Sequence, residues 1–164
     1  MSNIGRRAAQ LLLLGALLGA SAVPFAFGAE ATRESYVAAV EPICEANTKA
    51  NEKLLKNVKS EVKAGKLAPA GASLITAGKA LKKTWNELSA VPQPSADATK
   101  LGKWLGYVKG EAELFEKAGT LLKAGKKAPA QQVVNKLSKN ANLANFEVLS
   151  FGFRYCKFEP SKFL

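Results

Sequence analysis

Apolar residues in this chain recur at alternating spacings of three and four in four separate runs, the mark of one-sided helices. The first run covers Ser35 to Lys63, with Val40, Ile43 and Cys44, Asn47, Ala50 and Asn51, Leu54, Val58 and Val62 on one face. Pro42 lies inside it. Because the spacing continues through the proline, the pattern predicts a helix kinked near Ala38 to Pro42 rather than one that starts there. The second run, about Pro69 to Ala90, carries Leu74, Ala77 and Gly78, Leu81, Trp85 and Leu88. The third, Ala96 to about Ala124, carries Leu101, Trp104 and Leu105, Val108, Ala112, Phe115 and Leu122. The fourth opens at Pro129 and shows Val133 and Val134, Leu137, Ala141, Ala144, Val148 and Phe151.

The residues between the runs are helix punctuation. Gly65 and Gly125 stand just past helix ends, and Pro69 and Pro129 stand in first turns, which is the expected asymmetry. Val91-Pro92-Gln93-Pro94 cannot continue a helix, and Ser95 is an N-cap candidate for the third. Lys63-Ala64-Gly65-Lys66-Leu67-Ala68-Pro69-Ala70 recurs as Lys123-Ala124-Gly125-Lys126-Lys127-Ala128-Pro129-Ala130, so two similar helical hairpins are expected. Neither copy is a phosphate loop, which needs Gly-Lys-Ser/Thr after a strand.

The first residues belong to a different class of segment. Arg6 and Arg7 precede an uncharged apolar stretch, Ala8 to Val23, and Ala26-Phe27-Gly28 supplies the small residues of a cleavage site. This is the pattern of a secretory signal peptide over residues 1–28, cut after Gly28, with an uncleaved anchor as the alternative. Residues 29–164 then form one domain. Four one-sided helices joined by two short turns and one proline-rich connector predict an all-α, antiparallel up-down-up-down four-helix bundle. That topology makes the first and fourth helices neighbours and brings Cys44 and Cys156, the two cysteines, to the same end. In an exported protein they are expected to form one disulfide between helices 1 and 4.

Charge and residue choice narrow the chemistry. The formal net charge is +11, and removing Arg6 and Arg7 with the signal segment leaves +9. Such a balance favours anionic partners, here an anionic polymer or membrane surface, with no specific nucleic acid indicated. The chain has no histidine, and Met1 is its single methionine. The usual haem ligands, the His of a catalytic triad and the Glu-x-x-His of a di-iron bundle are therefore missing, so no haem, metal or other cofactor and no enzymatic activity is expected. The acids, including Glu41, Glu45 and the group Glu111, Glu113 and Glu116, are expected to be solvated or salt-paired. Asn47 and Asn51 near the first core line, with Asn142 and Asn145 beside the fourth, define a candidate polar seam. The aromatics Phe146, Phe151, Phe153, Tyr155, Phe158 and Phe163, with Tyr36, are expected to plug the disulfide end. Lys59, Lys63, Lys66, Lys123, Lys126 and Lys127 gather at the opposite end in this topology.

Tyr36-Val37-Ala38-Ala39-Val40-Glu41-Pro42-Ile43-Cys44, with the closing Tyr155-Cys156-Lys157-Phe158-Glu159-Pro160, resembles a group of small secreted helical proteins of high-GC Gram-positive bacteria. The resemblance covers most of the mature chain and brings no activity with it. Two functions remain in view: an exported, non-enzymatic bundle that binds anionic envelope components through Lys63, Lys66, Lys123, Lys126 and Lys127, or a small-molecule carrier using the Asn-lined seam.

Overall fold

A computed structural model describes residues 30–159, so the expected signal segment, Phe163 and the rest of residues 160–164 lie outside the described residues. All regular structure in that range is helical: α1 (Arg33–Leu55), α2 (Val58–Lys63), α3 (Leu67–Ser89), α4 (Ala98–Lys123) and α5 (Lys127–Glu147). Short 3-10 turns cover Ser95–Asp97 and Leu149–Phe151.

Local chemistry accounts for most of the boundaries. Thr32 and Ser35 form a reciprocal cap at the start of α1, each side chain bonding the other's backbone N–H. The helix runs through Pro42. The two Lys-Ala-Gly-Lys turns are copies in geometry as well as in letters. Gly65 and Gly125 take φ of 74° and 73°, and the following lysine N–H reaches back to Glu61 O in one turn and Leu121 O in the other. A residue with a β-carbon is disfavoured there, which is why glycine closes both helices.

Two boundaries differ from the expectation. The first helix breaks after Leu55, and Lys56 and Asn57 form a turn before α2 resumes. No Gly or Pro announces this break. Ser95 does not cap α4 directly; it opens the 3-10 turn, and Asp97 precedes the helix without a side-chain capping bond. The Asp97 carboxylate is instead engaged by Arg33, whose guanidinium bonds both oxygens at 2.6 and 2.8 Å and lies over the Phe151 ring. That fork joins the start of α1 to the connector.

Close contacts pair α1 with α3, α2 with α3, α3 with α4, and α4 with α5. Among the described residues no comparable interface joins α1 to α5, so the expected neighbourhood of the first and last long helices is not found. The disulfide is likewise corrected. Cys44 and Cys156 are bonded, with Cα atoms 5.0 Å apart, but Cys156 lies past the end of α5, so the bond ties α1 to the C-terminal tail. The tail fills the space between α1 and α5. Phe153 packs on Trp104 and Phe151, with ring centroids 5.5 and 5.4 Å away, and Phe158 meets Phe115 edge-on. Tyr36 is buried near this end of α1, and burial pushes its phenol up to about 12. Phe146 does not join the plug. It is 74 % exposed, beside exposed Leu143 and Leu149 on the outer side of the chain.

The α3–α4 crossing depends on glycine. A β-carbon at Gly71 would sit 2.5 Å from Gly119 O, and one at Gly119 would sit 2.5 Å from Gly71 O. Both obstacles are backbone, so neither can move aside. Gly71→Ala or Gly119→Ala is expected to cost about 1–3 kcal/mol through overpacking. Gly102→Ala and Gly106→Ala on the same α4, where a β-carbon meets open space, should raise stability by about 0.5–1 kcal/mol. Urea denaturation of the four variants checks this, and equal effects at all four positions would rule out the close crossing.

Candidate functional site

The basic end is assembled by α2 and the two Lys-Ala-Gly-Lys turns. Gly71, in the second turn of α3, lies against the last turn of α4, where a β-carbon would come within 2.8 Å of Lys123 Cγ. Lys66 and Lys126 occupy the N-cap positions of α3 and α5, and both are exposed. Lys59 and Lys63 project from α2, and Lys127 opens α5. Among the described residues none of these six lysines makes a salt bridge. Glu61 is the acid carried by α2; one of its oxygens is buried without a hydrogen-bond partner.

Between α2 and the first turns of α5 lies a groove of about 270 Å³. Its walls are aliphatic: Val58 and Val62 from α2, Leu74 from α3, Leu122 from α4, and Ala130 and Val134 from α5. Lys59, Lys63, Lys127 and Gln131 supply its polar groups, and no acid lines it. The break at Lys56 and Asn57 sets α2 against α3, while α5 packs on α4, and the groove runs between them over buried Leu74 and Leu122.

The expected polar seam is redistributed. Asn47 and Asn51 do come together on α1, but they face α3. Asn47 Oδ1 accepts from Thr84 at 3.2 Å and from Asn51 at 3.4 Å. Asn142 is exposed. Asn145 fastens the tail, donating to Phe158 O at 2.9 Å and accepting from Phe158 N–H at 3.0 Å. Glu41 does the same from α1, accepting from the backbone N–H of Arg154 at 2.9 Å and of Tyr155 at 3.1 Å.

Glu111 was expected on the surface and is instead 2 % exposed. It lines a chamber of about 50 Å³ with Asn47, Thr84, Trp104 and the tail residues Tyr155 to Phe158. Its Oε1 has no partner, and Oδ1 of buried Asn51 has none either. Burial pushes the carboxyl up to about 8, with the Asn140 side chain pulling weakly the other way. The Asn140 amide also donates to Tyr107 O at 2.8 Å. A chamber this size has room for a few water molecules, each needing ~10–15 Å³, and not for a small-molecule ligand. Among the described residues no group of three or more His, Cys, Asp or Glu could hold a metal ion. The sequence did carry a signal for Glu111: it is three residues after Val108 and four before Phe115, on the buried line of α4.

No protein-family model, curated protein or solved structure matches the chain. The residues themselves must therefore carry the functional argument. They offer two sites of different character, a water-sized polar chamber bordered by the tail and a larger aliphatic groove rimmed by lysine. Among the described residues no helix is long and apolar enough to cross a membrane.

Proposed function

We propose that this is an exported, non-enzymatic helical bundle, with its long helices running alternately up and down, that binds an anionic component of the cell envelope through its basic end. The alternating order is supported by the contacts along each helix pair. Asn47 meets Thr84 while Val58 and Leu74 share one groove; Gly71 meets Gly119 and Gly78 lies against Ala112; Tyr107 meets Asn140 and Lys103 pairs with Glu147. In each pair the numbers run in opposite senses. Export is supported by the disulfide, since such bonds persist in oxidising compartments.

The observation that carries the binding reading is that Lys59, Lys63 and Lys127 line one groove with no acid in it, while Lys66 and Lys126 stand exposed at adjoining helix starts. Lysine in a last turn complements the helix dipole, which accounts for Lys63 and Lys123. Lys66 and Lys126 sit at N-caps, where a cation opposes the dipole, so helix stability does not account for them. Such a surface holds anions by charge. A lysine near an anionic surface contributes about 1 kcal/mol, so Lys66→Gln, Lys126→Gln and Lys127→Gln together should cut partitioning onto anionic vesicles or phosphate-bearing polymers at low salt by roughly 100-fold. Melting should be nearly unchanged, and parental binding should weaken steeply as salt rises. A triple variant that is retained as well as the parent would leave the lysines with no role beyond solubility.

A further inference from the structure

The groove beside the basic end is a binding site of its own. We propose that it takes the alkyl chain of a single-chain anionic amphiphile, with the headgroup held among Lys59, Lys63 and Lys127. The proposal rests on the basic-end reading for its charge component and adds a ligand class that charge alone does not specify.

The lining decides the class. Half-buried Val62 and Val134, backed by buried Val58, Leu74, Leu122 and Ala130, border a space of about 270 Å³. Apolar side chains bordering an unfilled groove lose contacts that an aliphatic occupant would restore. The walls are branched or straight aliphatics with no aromatic ring, so they offer nothing for sugar or base stacking. Their polar groups are confined to Gln131 and three lysines, which supply donors and positive charge for a carboxylate or phosphate head. The volume lies just under the roughly 300–1,000 Å³ of drug-sized ligand sites, which suits one chain and excludes a two-chain lipid taken whole.

Charge argues against a second copy of this chain as the occupant. The mature chain is expected to carry a net +9, and the lysine rim would face a like-charged partner. The remaining competitor is internal. The last described residues, Lys157 to Glu159, lie beside Asn51 and Glu52, one turn of α1 before Leu55. Five residues, 160–164, span at most about 18 Å, at up to 3.6 Å per residue. The experiment must therefore separate a free ligand from the chain's own terminus.

The exported, disulfide-bonded chain is titrated with alkyl carboxylates of increasing length, kept below micelle formation, and followed by calorimetry. Dodecyl maltoside serves as a neutral probe and inorganic phosphate as a headgroup-only probe. Binding is expected to saturate at one site and to tighten by roughly fourfold per added methylene until the chain outgrows the groove. The carboxylate should bind at least tenfold more tightly than the maltoside, and phosphate should show no comparable binding. Val134, half-buried at the groove, is the handle. Val134→Trp fills the space and Val134→Glu places an acid there, so each should weaken dodecanoate binding at least tenfold. Because Val134→Trp leaves every lysine in place, it should not change low-salt retention on anionic vesicles. If chain length has no effect, if neither Val134 variant weakens binding, or if binding appears only in a chain ending at Glu159, the proposal is overturned. In the last case the groove belongs to the terminal residues. Loss of vesicle retention in the lysine variants tests the basic-end reading separately, and dodecanoate binding without vesicle retention would overturn that reading while leaving this one standing.

Discussion

Replacing both Cys44 and Cys156 by alanine lowers the unfolding free energy by about 4–5 kcal/mol, the chain-entropy value for a cross-link this long. The bond closes a sequence separation of 112 residues, almost all of the described chain. The folded tail keeps its other attachments. Glu41 still accepts from Arg154 and Tyr155, Asn145 still pairs with Phe158, and Phe153 still covers Trp104. The loss therefore falls mainly on the unfolded state, which regains the freedom that the cross-link removed. Domains of ordinary size have about 5–15 kcal/mol in total, so the variant should fold with little reserve. Urea denaturation of oxidised parent and variant measures the difference. A second readout is the fluorescence of Trp104, which is 1 % exposed under the tail; it should change at a lower urea concentration in the variant. A cysteine-free protein within about 1 kcal/mol of the parent would show that the tail is held by its polar and aromatic contacts alone.

The sequence was informative where a rule is local. The glycine turns and the core lines of α3, α4 and α5 depend on periodicity and backbone geometry that act within a few residues, and the cysteine pair needed only the count of two in a chain expected to be exported. Leu74, Ala77, Leu81 and Leu88 are buried as their spacing predicts, and so are Leu101, Trp104, Leu105, Val108, Ala112 and Phe115. What escaped depends on tertiary contact. The break at Lys56 and Asn57 has no strong local breaker, and its effect is to let Val58 and Val62 follow the surface of α3. No close interface like that of α3 and α4 joins α1 to α5, because the tail is fastened to both, and no helical period reports on a tail. Glu111 lay on the buried line of α4, but solvated carboxylates are so common on helices that its chemistry outweighed its position.

Both candidate sites then have one structural origin. The space between α1–α2 and α5 is filled at one end by residues 152–159, which Cys44, Glu41 and Asn145 hold in place. At the other end the same space stays open as the aliphatic groove. The tail borders the small chamber around Glu111, and the larger lysine-rimmed groove lies where no described tail residue reaches. A loosened tail would therefore affect the chamber directly.

The stability of the protein should fall by roughly 4 kcal/mol between pH 4.5 and pH 8, and Glu111 should be the cause. Its folded carboxyl is raised from an ordinary value of 4.5 to about 8, chiefly because burial disfavours the charged form. Below about pH 4.5 both folded and unfolded chains hold the proton, and the full stability is present. As pH rises from there the unfolded chain releases its proton and the folded chain does not, so each unit costs up to about 1.4 kcal/mol. The loss ends near pH 8, where the folded carboxyl also ionises. Other carboxyls shift the opposite way. Asp97 is lowered by its bonds to Arg33 and Glu45 by its bond to Lys49, so their contributions are lost as pH falls through their depressed folded values, outside this window. The chain has no histidine to titrate between. Glu111→Gln retains the shape and polarity of the protonated acid without its ionisation. The variant should show a flat stability from pH 5 to 8 and should be more stable than the parent at pH 8, by urea denaturation at each unit of pH. A parent whose stability is flat over that range, or a Gln variant that keeps the parental slope, would mean that Glu111 is not the group that titrates in the chamber.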